Sequence, residues 1–344
     1  MSTIASHFQC YCGSVREPGA LLSSWNFPIE SEFCHCNPCR QTTGVLGGTF
    51  VELKGQPSSL DACTRYARPG GCVDRYFCST CGTRTFDHNT GSRKWFACSG
   101  IVEPSPAQDV VRVSIHAFVA DTKDGGLSRP MRQLGGRKIP CYAEGVGQEM
   151  TDEDIDAMSR HNPESPEVDT LAASCHCGTV QFRILPPKHD NRLDLAPWLG
   201  AEGTKYLGLY CFCRYCRLGS GQSLSVNTYI MPENVIIGDK SPFDYTSYDK
   251  EAKVKSTALQ DAIPGLRCYA SSDDVRRSFC GKCGASIFWE RESRPQVVNV
   301  AVGILRADSG CLASEWIQWD WKKIWWKEGA VDKEMVEALE KWDP

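Results

Sequence analysis

The amino-acid sequence predicts a mainly β protein built from two tandem modules, each pinned by metal-binding cysteines, with few short helices. Three observations lead there. A set of seven cysteines occurs twice in the same order, the segments between them are short, β-branched and bounded by glycine or proline, and helical periodicity is sparse.

The repeat is read directly. The first half carries Cys10-Tyr11-Cys12-Gly13, then Cys34-His35-Cys36-Asn37-Pro38-Cys39-Arg40, then Phe77-Cys78-Ser79-Thr80-Cys81-Gly82. The second carries Cys175-His176-Cys177-Gly178, Cys211-Phe212-Cys213-Arg214-Tyr215-Cys216-Arg217, and Phe279-Cys280-Gly281-Lys282-Cys283-Gly284. Residues outside the cysteines repeat as well: Arg75-Tyr76-Phe77 matches Arg277-Ser278-Phe279, and Ser99-Gly100-Ile101 matches Val302-Gly303-Ile304. The second copy has two insertions, within Leu185 to Gly208 and within Gly238 to Ala270, as expected of surface loops where added length costs little. Strands are expected at Val110 to Ile115, Thr179 to Leu185 and Gln296 to Val302. The expected boundaries are a first module at 1–147, an acidic, proline-punctuated linker with a short capped helix at 148–170, a second module at 171–330, and a C-terminal helix at 331–344, where Met335 and Leu339 stand one turn apart.

Composition narrows the function. The chain has 344 residues, 20 of them cysteine, and a net charge of −4. No basic run marks a nucleic-acid partner. No apolar stretch is long enough to span a membrane and the N-terminus has no secretory pattern, so a cytoplasmic location is expected. Reducing surroundings disfavour disulfides and leave metal binding as the leading use of the cysteines.

Thiolates select zinc over hard cations. In each half the C-x-C and C-x2-C pairs can meet as two knuckles around one ion, and the middle C-x-C-x2-C supplies three thiolates from one loop, leaving a coordination position vacant. Iron–sulfur ligation is the second metal reading, for which the middle set lacks a fourth cysteine. Cys63, Cys72, Cys98, Cys141, Cys268 and Cys311 fall outside the repeat and are expected to be small buried hydrophobes. His35 and His176 sit inside the motifs, but Phe212 replaces His35 in the second copy, so they are not expected to be ligands. Arg40 and Arg217 follow the three-cysteine loops and are expected either to screen thiolate charge, to bind an anionic substrate, or to be plain surface arginines. Tyr210, Trp289 and the tryptophan-rich tail are expected to be core or interface aromatics. No Ser/His/Asp set competes, and Gly44-Val45-Leu46-Gly47-Gly48 lacks a P-loop lysine.

With these motifs quoted, the chain resembles the family of glutathione-dependent formaldehyde-activating enzymes and centromere protein V, in two tandem copies. The resemblance implies a zinc-pinned β-tent of small antiparallel sheets. It implies structural zinc on Cys10, Cys12, Cys78 and Cys81 and on Cys175, Cys177, Cys280 and Cys283. It implies catalytic zinc on Cys34, Cys36 and Cys39 and on Cys211, Cys213 and Cys216, up to four ions in all. The implied activity is that of a carbon–sulfur lyase on a small-molecule thiol adduct, with glutathione as the family's thiol. The alternative is a non-catalytic interaction protein stabilised by zinc.

Overall fold

Strands form at the β-branched runs, here as Val111–Ala117, Gln181–Ile184 and Val298–Ala301. The structure is a computed structural model that describes residues 6–24, 26–68, 70–104, 108–159, 168–187, 196–201, 203–238 and 262–343. The proline-rich end of the linker, Pro163 to Pro166, and most of the second insertion lie outside the described residues.

The first half is centred on a five-stranded antiparallel sheet in the order Phe50–Leu53, Lys94–Cys98, Arg84–Asn89, Val73–Cys78, Cys63–Ala67. The second half repeats it as Ser225–Ile230, Val298–Ala301, Ser286–Arg291, Val275–Cys280, Leu266–Ser272. There Tyr206–Cys211 and Ile317–Trp325 extend the sheet to seven strands. Their first-half equivalents, Ile29–Cys34 and Val111–Ala117, remain a separate pair, linked to the main sheet's edge by a bridge between Cys34 and Gly48 and by the Ser31 hydroxyl, which bonds the Phe50 backbone. Both of these pairings are parallel, an exception to the antiparallel expectation. Each joins strands far apart in sequence, as a parallel pair requires.

Four α-helices are present among the described residues: α1 (Asn37–Thr43), α2 (Asp152–Ser159), α3 (Arg214–Ser220) and α4 (Lys333–Lys341). Helices α1 and α3 grow out of the cysteine loops. The sulfur of Cys36 caps α1 by accepting the Cys39 N–H at 3.4 Å, and Gly44 closes it at φ 83°. Cys213 and Gly221 do the same for α3. Helix α2, expected as a short capped helix, opens with Thr151 and Asp154 bonding each other's N–H, and buries Ile155 against Val119 and Cys141. Helix α4 buries Met335, Val336 and Leu339 and reaches back to the first half, where Glu334 pairs with Arg137 at 2.6 Å. No described helix is long and apolar enough to cross a membrane.

The halves share a core, beside a second buried cluster formed by first-half residues such as Phe8, Val51 and Phe86. Phe33, Leu46 and Phe77 belong to the same buried cluster as Phe279, Val300 and Trp316. At its centre the contact is reciprocal: a Cβ on Gly82 would enter the Phe279 ring, one on Gly284 would enter the Phe77 ring, and the two rings meet edge-on at 6.2 Å. A second reciprocal pair uses backbone bonds, Gly303 N–H to Gly44 O at 2.9 Å and Gly100 N–H to Gly221 O at 3.0 Å.

Of the unmatched cysteines, Cys98, Cys141 and Cys311 are buried as expected, and burial pushes their thiols up. Cys63 and Cys268 are only half-buried and Cys72 is exposed, which corrects the expectation. The first two lie on the outermost strands of their sheets and Cys72 opens the hairpin strand, where one side of the chain faces water.

Gly82 has φ 75° and no room, whereas Gly13 has φ 79° and open space. Gly13→Ala is expected to lose only the left-handed backbone term, about 1–2 kcal/mol. Gly82→Ala adds overpacking of about 1–3 kcal/mol. Chemical denaturation of the two variants should show that ordering.

Candidate metal centres

The two knuckle pairs in each half meet as the spacing predicts. Cys10, Cys12, Cys78 and Cys81 bring their sulfurs within 4.8 Å of one another, as do Cys175, Cys177, Cys280 and Cys283. The spacing tests for metal. Zinc–sulfur bonds of about 2.3 Å in a tetrahedron place sulfurs roughly 3.8 Å apart, against about 2.05 Å in a disulfide. The Cys10–Cys12 and Cys175–Cys177 sulfurs stand at 3.5 Å, and Cys12–Cys78 and Cys177–Cys280 at 3.6 Å. Backbone N–H groups of Val15 and Val180 point at Cys10 and Cys175 at 3.3 and 3.4 Å, as thiolate acceptors require. The thiols of one set cannot all ionise together. Hydrogen bonds from Cys10 and Cys81 pull Cys78 down to about 4, while its bonds to Cys78 and Cys81 push Cys10 far up. A divalent cation removes that conflict, so the donor set fits zinc.

The middle loops give two sets of three: Cys34, Cys36 and Cys39, and Cys211, Cys213 and Cys216. Among the described residues no further Cys, His, Asp or Glu joins either set. The strand ending at Cys34 or Cys211 delivers the first sulfur, and the helix N-terminus delivers the other two, so the loop geometry is fixed by secondary structure on both sides. Bonds from Cys211 and Cys216 hold Cys213 down to about 2. Those from Cys34 and Cys36 hold Cys39 well below the thiol range, with Arg75 and Arg84 adding to the effect.

Arg40 and Arg217 are not surface residues; their guanidinium groups are engaged within the protein. Both are buried. Arg40 donates to His35 O at 3.1 Å and Asp121 O at 2.8 Å. Arg217 donates to Gly100 O at 2.6 Å and Val102 O at 3.0 Å and pairs with Glu103 at 2.8 Å. They tie each cysteine helix to its surroundings, and Arg217 does so across the two halves. Arg217 still lends charge to Cys213; the other arginines whose charge reaches the open sets are Arg75 and Arg84, near Cys39, and Arg277, near Cys213 and Cys216. The sequence shows Arg75 and Arg277 as a repeated Arg two residues before Phe-Cys, but only strand pairing brings that position to the three-cysteine loop.

Each four-cysteine knuckle touches the other half's cysteine helix. The His176 N–H donates to Gln41 O of α1 at 3.2 Å. The equivalent Tyr11 N–H donates at 3.1 Å to Thr83 Oγ1, which donates at 2.8 Å to Leu218 O of α3. In the first site His176 Nδ1 lies 2.7 Å from the Tyr66 hydroxyl. In the second, Tyr11 packs on Tyr269 at 5.9 Å and lies under the Arg277 guanidinium at 4.9 Å. Tyr210 is fully buried with Trp319 and Trp321 packed on it, Trp289 is half-buried, and Trp325 and Trp326 are exposed.

His35 has a structural partner that sequence reasoning missed. Its Nε2 lies 2.9 Å from His116 Nδ1, and His116 Nε2 lies 3.1 Å from Met131 O. A carbonyl only accepts, so His116 carries its proton on Nε2 and His35 donates from Nε2 to His116 Nδ1. Burial keeps both rings neutral, His116 down to about 4. His35 Nδ1 remains a buried acceptor with no partner among the described residues. The second half replaces the pair with Phe212 and Ile324.

The fold and these sets define a class: a duplicated β protein carrying two complete and two incomplete thiolate clusters. The family model described as glutathione-dependent formaldehyde-activating enzyme matches the chain over residues 5–121 and 199–327. The chain belongs to that family, in two copies. No curated protein was found to match it.

The histidine pair makes a prediction. His116→Ile alone strands the His35 Nε2–H in the core and should cost about 1–3 kcal/mol. His35→Phe with His116→Ile, the pairing used by the second half, should cost clearly less than the two single changes summed. A double-mutant cycle by denaturant unfolding measures the difference.

Proposed function

We propose that the chain is a zinc-dependent enzyme of carbon–sulfur lyase type, acting on adducts between a glutathione-like thiol and an aldehyde or comparable electrophile. One observation carries the reading: within each half one thiolate set has four members and the other stops at three. A zinc ion held by Cys34, Cys36 and Cys39, or by Cys211, Cys213 and Cys216, supplies when bound a free position that favours a substrate thiol as its thiolate. Three anionic ligands soften the site, which suits sulfur over hard hydrolytic chemistry. In adduct formation the sulfur bonds to the carbonyl carbon, the C=O electron pair moves to oxygen, and the thiol's proton ends on that oxygen; cleavage is the reverse. Arg75 and Arg277 place positive charge beside the reacting sulfur. In the first site the Tyr66 hydroxyl and His176 Nδ1 form a hydrogen bond beside Arg75, a pair suited to holding the proton in transit. We retain 1–147 and 171–330 as the two modules, with 148–170 as their connection and 331–344 as a terminal helical segment.

A second reading, a non-catalytic interaction protein, has one observation in its favour. Trp325 and Trp326 are exposed at the end of the sheet's outermost strand, beside Lys323.

The test combines metal content with exchange. Native mass spectrometry should find four zinc ions, and Cys36→Ser and Cys213→Ser should each weaken one. Magnetisation-transfer NMR should show that the full chain accelerates exchange between formaldehyde and glutathione, and at least one of those variants should abolish the effect. A fully zinc-loaded protein that leaves the exchange at its buffer rate would sink the enzyme reading and leave the interaction reading standing.

A further inference from the structure

The two open sites differ in the sheet beside them. Side chains directly opposite one another on antiparallel strands share a face. Reading across the first half's register gives one row, Tyr66, Arg75, Asp87, Phe96 and Glu52. The same row in the second half is Tyr269, Arg277, Trp289, Asn299 and Tyr229. Tyrosine and arginine, at the end where the arginine adjoins the three cysteines, are common to both. The remaining three positions all differ.

The difference is chemical. In the first half Asp87 is held by the buried Arg84, and Glu52 by Lys94 at 2.9 Å, so that wall is acidic and internally paired. In the second half Ser286 stands where Arg84 was and Trp289 where Asp87 was, so the ion pair is gone. Arg294 enters this space from the turn that follows. Its guanidinium lies 4.7 Å from the Trp198 ring, 5.0 Å from Tyr229 and 5.3 Å from Trp289. Trp198 comes from the first insertion, which the first half lacks. Arg294 donates to the buried Asn299, yet among the described residues it has no carboxylate within ion-pair distance. Its Nε and the indole N–H groups of Trp198 and Trp289 are buried without acceptors among the described residues. Beyond its bonds to Asn299 and the Tyr229 side chain, this half-buried cation is faced by rings and by N–H donors without acceptors among the described residues, and a carboxylate would supply both the countercharge and the missing acceptors.

We infer that the second open site recognises an aromatic or otherwise planar thiol adduct bearing a carboxylate, held by Arg294, Trp198, Trp289 and Tyr229, and that the first site does not. The two copies thus handle different substrates. The inference rests on the proposed thiol chemistry of the open sites, and the acid recognition is tested apart from it.

Three probes separate the questions in calorimetric titrations of the zinc-loaded full chain: 2-mercaptobenzoate, thiophenol and benzoate. 2-Mercaptobenzoate should bind at least tenfold more tightly than thiophenol. Cys213→Ser should remove that advantage and Cys36→Ser should keep it. Arg294→Leu should bring the two thiols within twofold of each other. Trp289→Asp, which installs the first half's residue, should do the same and serves if the arginine variant does not fold. Thiophenol binding with no gain from the carboxylate overturns the inference while the thiol chemistry stands. Benzoate binding that Arg294→Leu abolishes, with no thiophenol binding, keeps the acid site and instead fails the thiol reading.

Discussion

Gly82 and Gly284 set how close the two halves come, and the rest of the arrangement follows from that distance. Each follows the last cysteine of a four-cysteine set, and each leaves room for the phenylalanine that precedes the C-x2-C pair of the equivalent set in the other half. The loop that closes a four-cysteine cluster is therefore also the loop that seats the other half. A side chain at either position would separate the halves at the centre of their shared core, where tight packing leaves no slack.

That seating explains why the open sites are composite. The knuckle of each complete cluster abuts the helix of the other half's incomplete cluster, through a direct backbone bond at His176 and through the Thr83 hydroxyl at Tyr11. Arg217 reinforces the link by donating to carbonyls of the other half. Metal bound in a complete cluster would thus support two things at once, its own half and the cysteine helix opposite. Both helices are short and begin at a ligand, so they hold their shape through these neighbours more than through intrinsic helical stability.

Duplication has preserved the elements that must be mutually consistent and relaxed the ones that need not be. Fourteen cysteines recur in two matching sets. Around them, a buried histidine pair in one half is Phe212 and Ile324 in the other, and an acidic, ion-paired wall becomes an aromatic one whose guanidinium has no carboxylate partner among the described residues. A buried hydrogen-bonded pair is replaced as a unit because losing one member leaves the other unsatisfied. The same logic applies to Arg84 and Asp87, both absent from the second half.

Much of this was legible in the chain. The cysteine spacing determined the duplication, the grouping into fours and threes, and the family, because tetrahedral thiolate coordination demands short, rigid ligand spacings that chance seldom repeats. The β-branched runs and the capped helices stood where propensity and capping chemistry place them. Tertiary structure alone decided the surroundings of the arginines: Arg40 and Arg217, adjacent to the candidate ligands in sequence, turn inward to carbonyls, whereas Arg75 and Arg277, 36 and 61 residues beyond Cys39 and Cys216, return to them through strand register. It also decided that Cys72 is exposed, that His35 has His116 as its partner, and that the two open sites face different walls. Ligand spacing is a local property and is written in consecutive residues. What surrounds a ligand is set by pairing between distant strands, and a sequence does not display its own register.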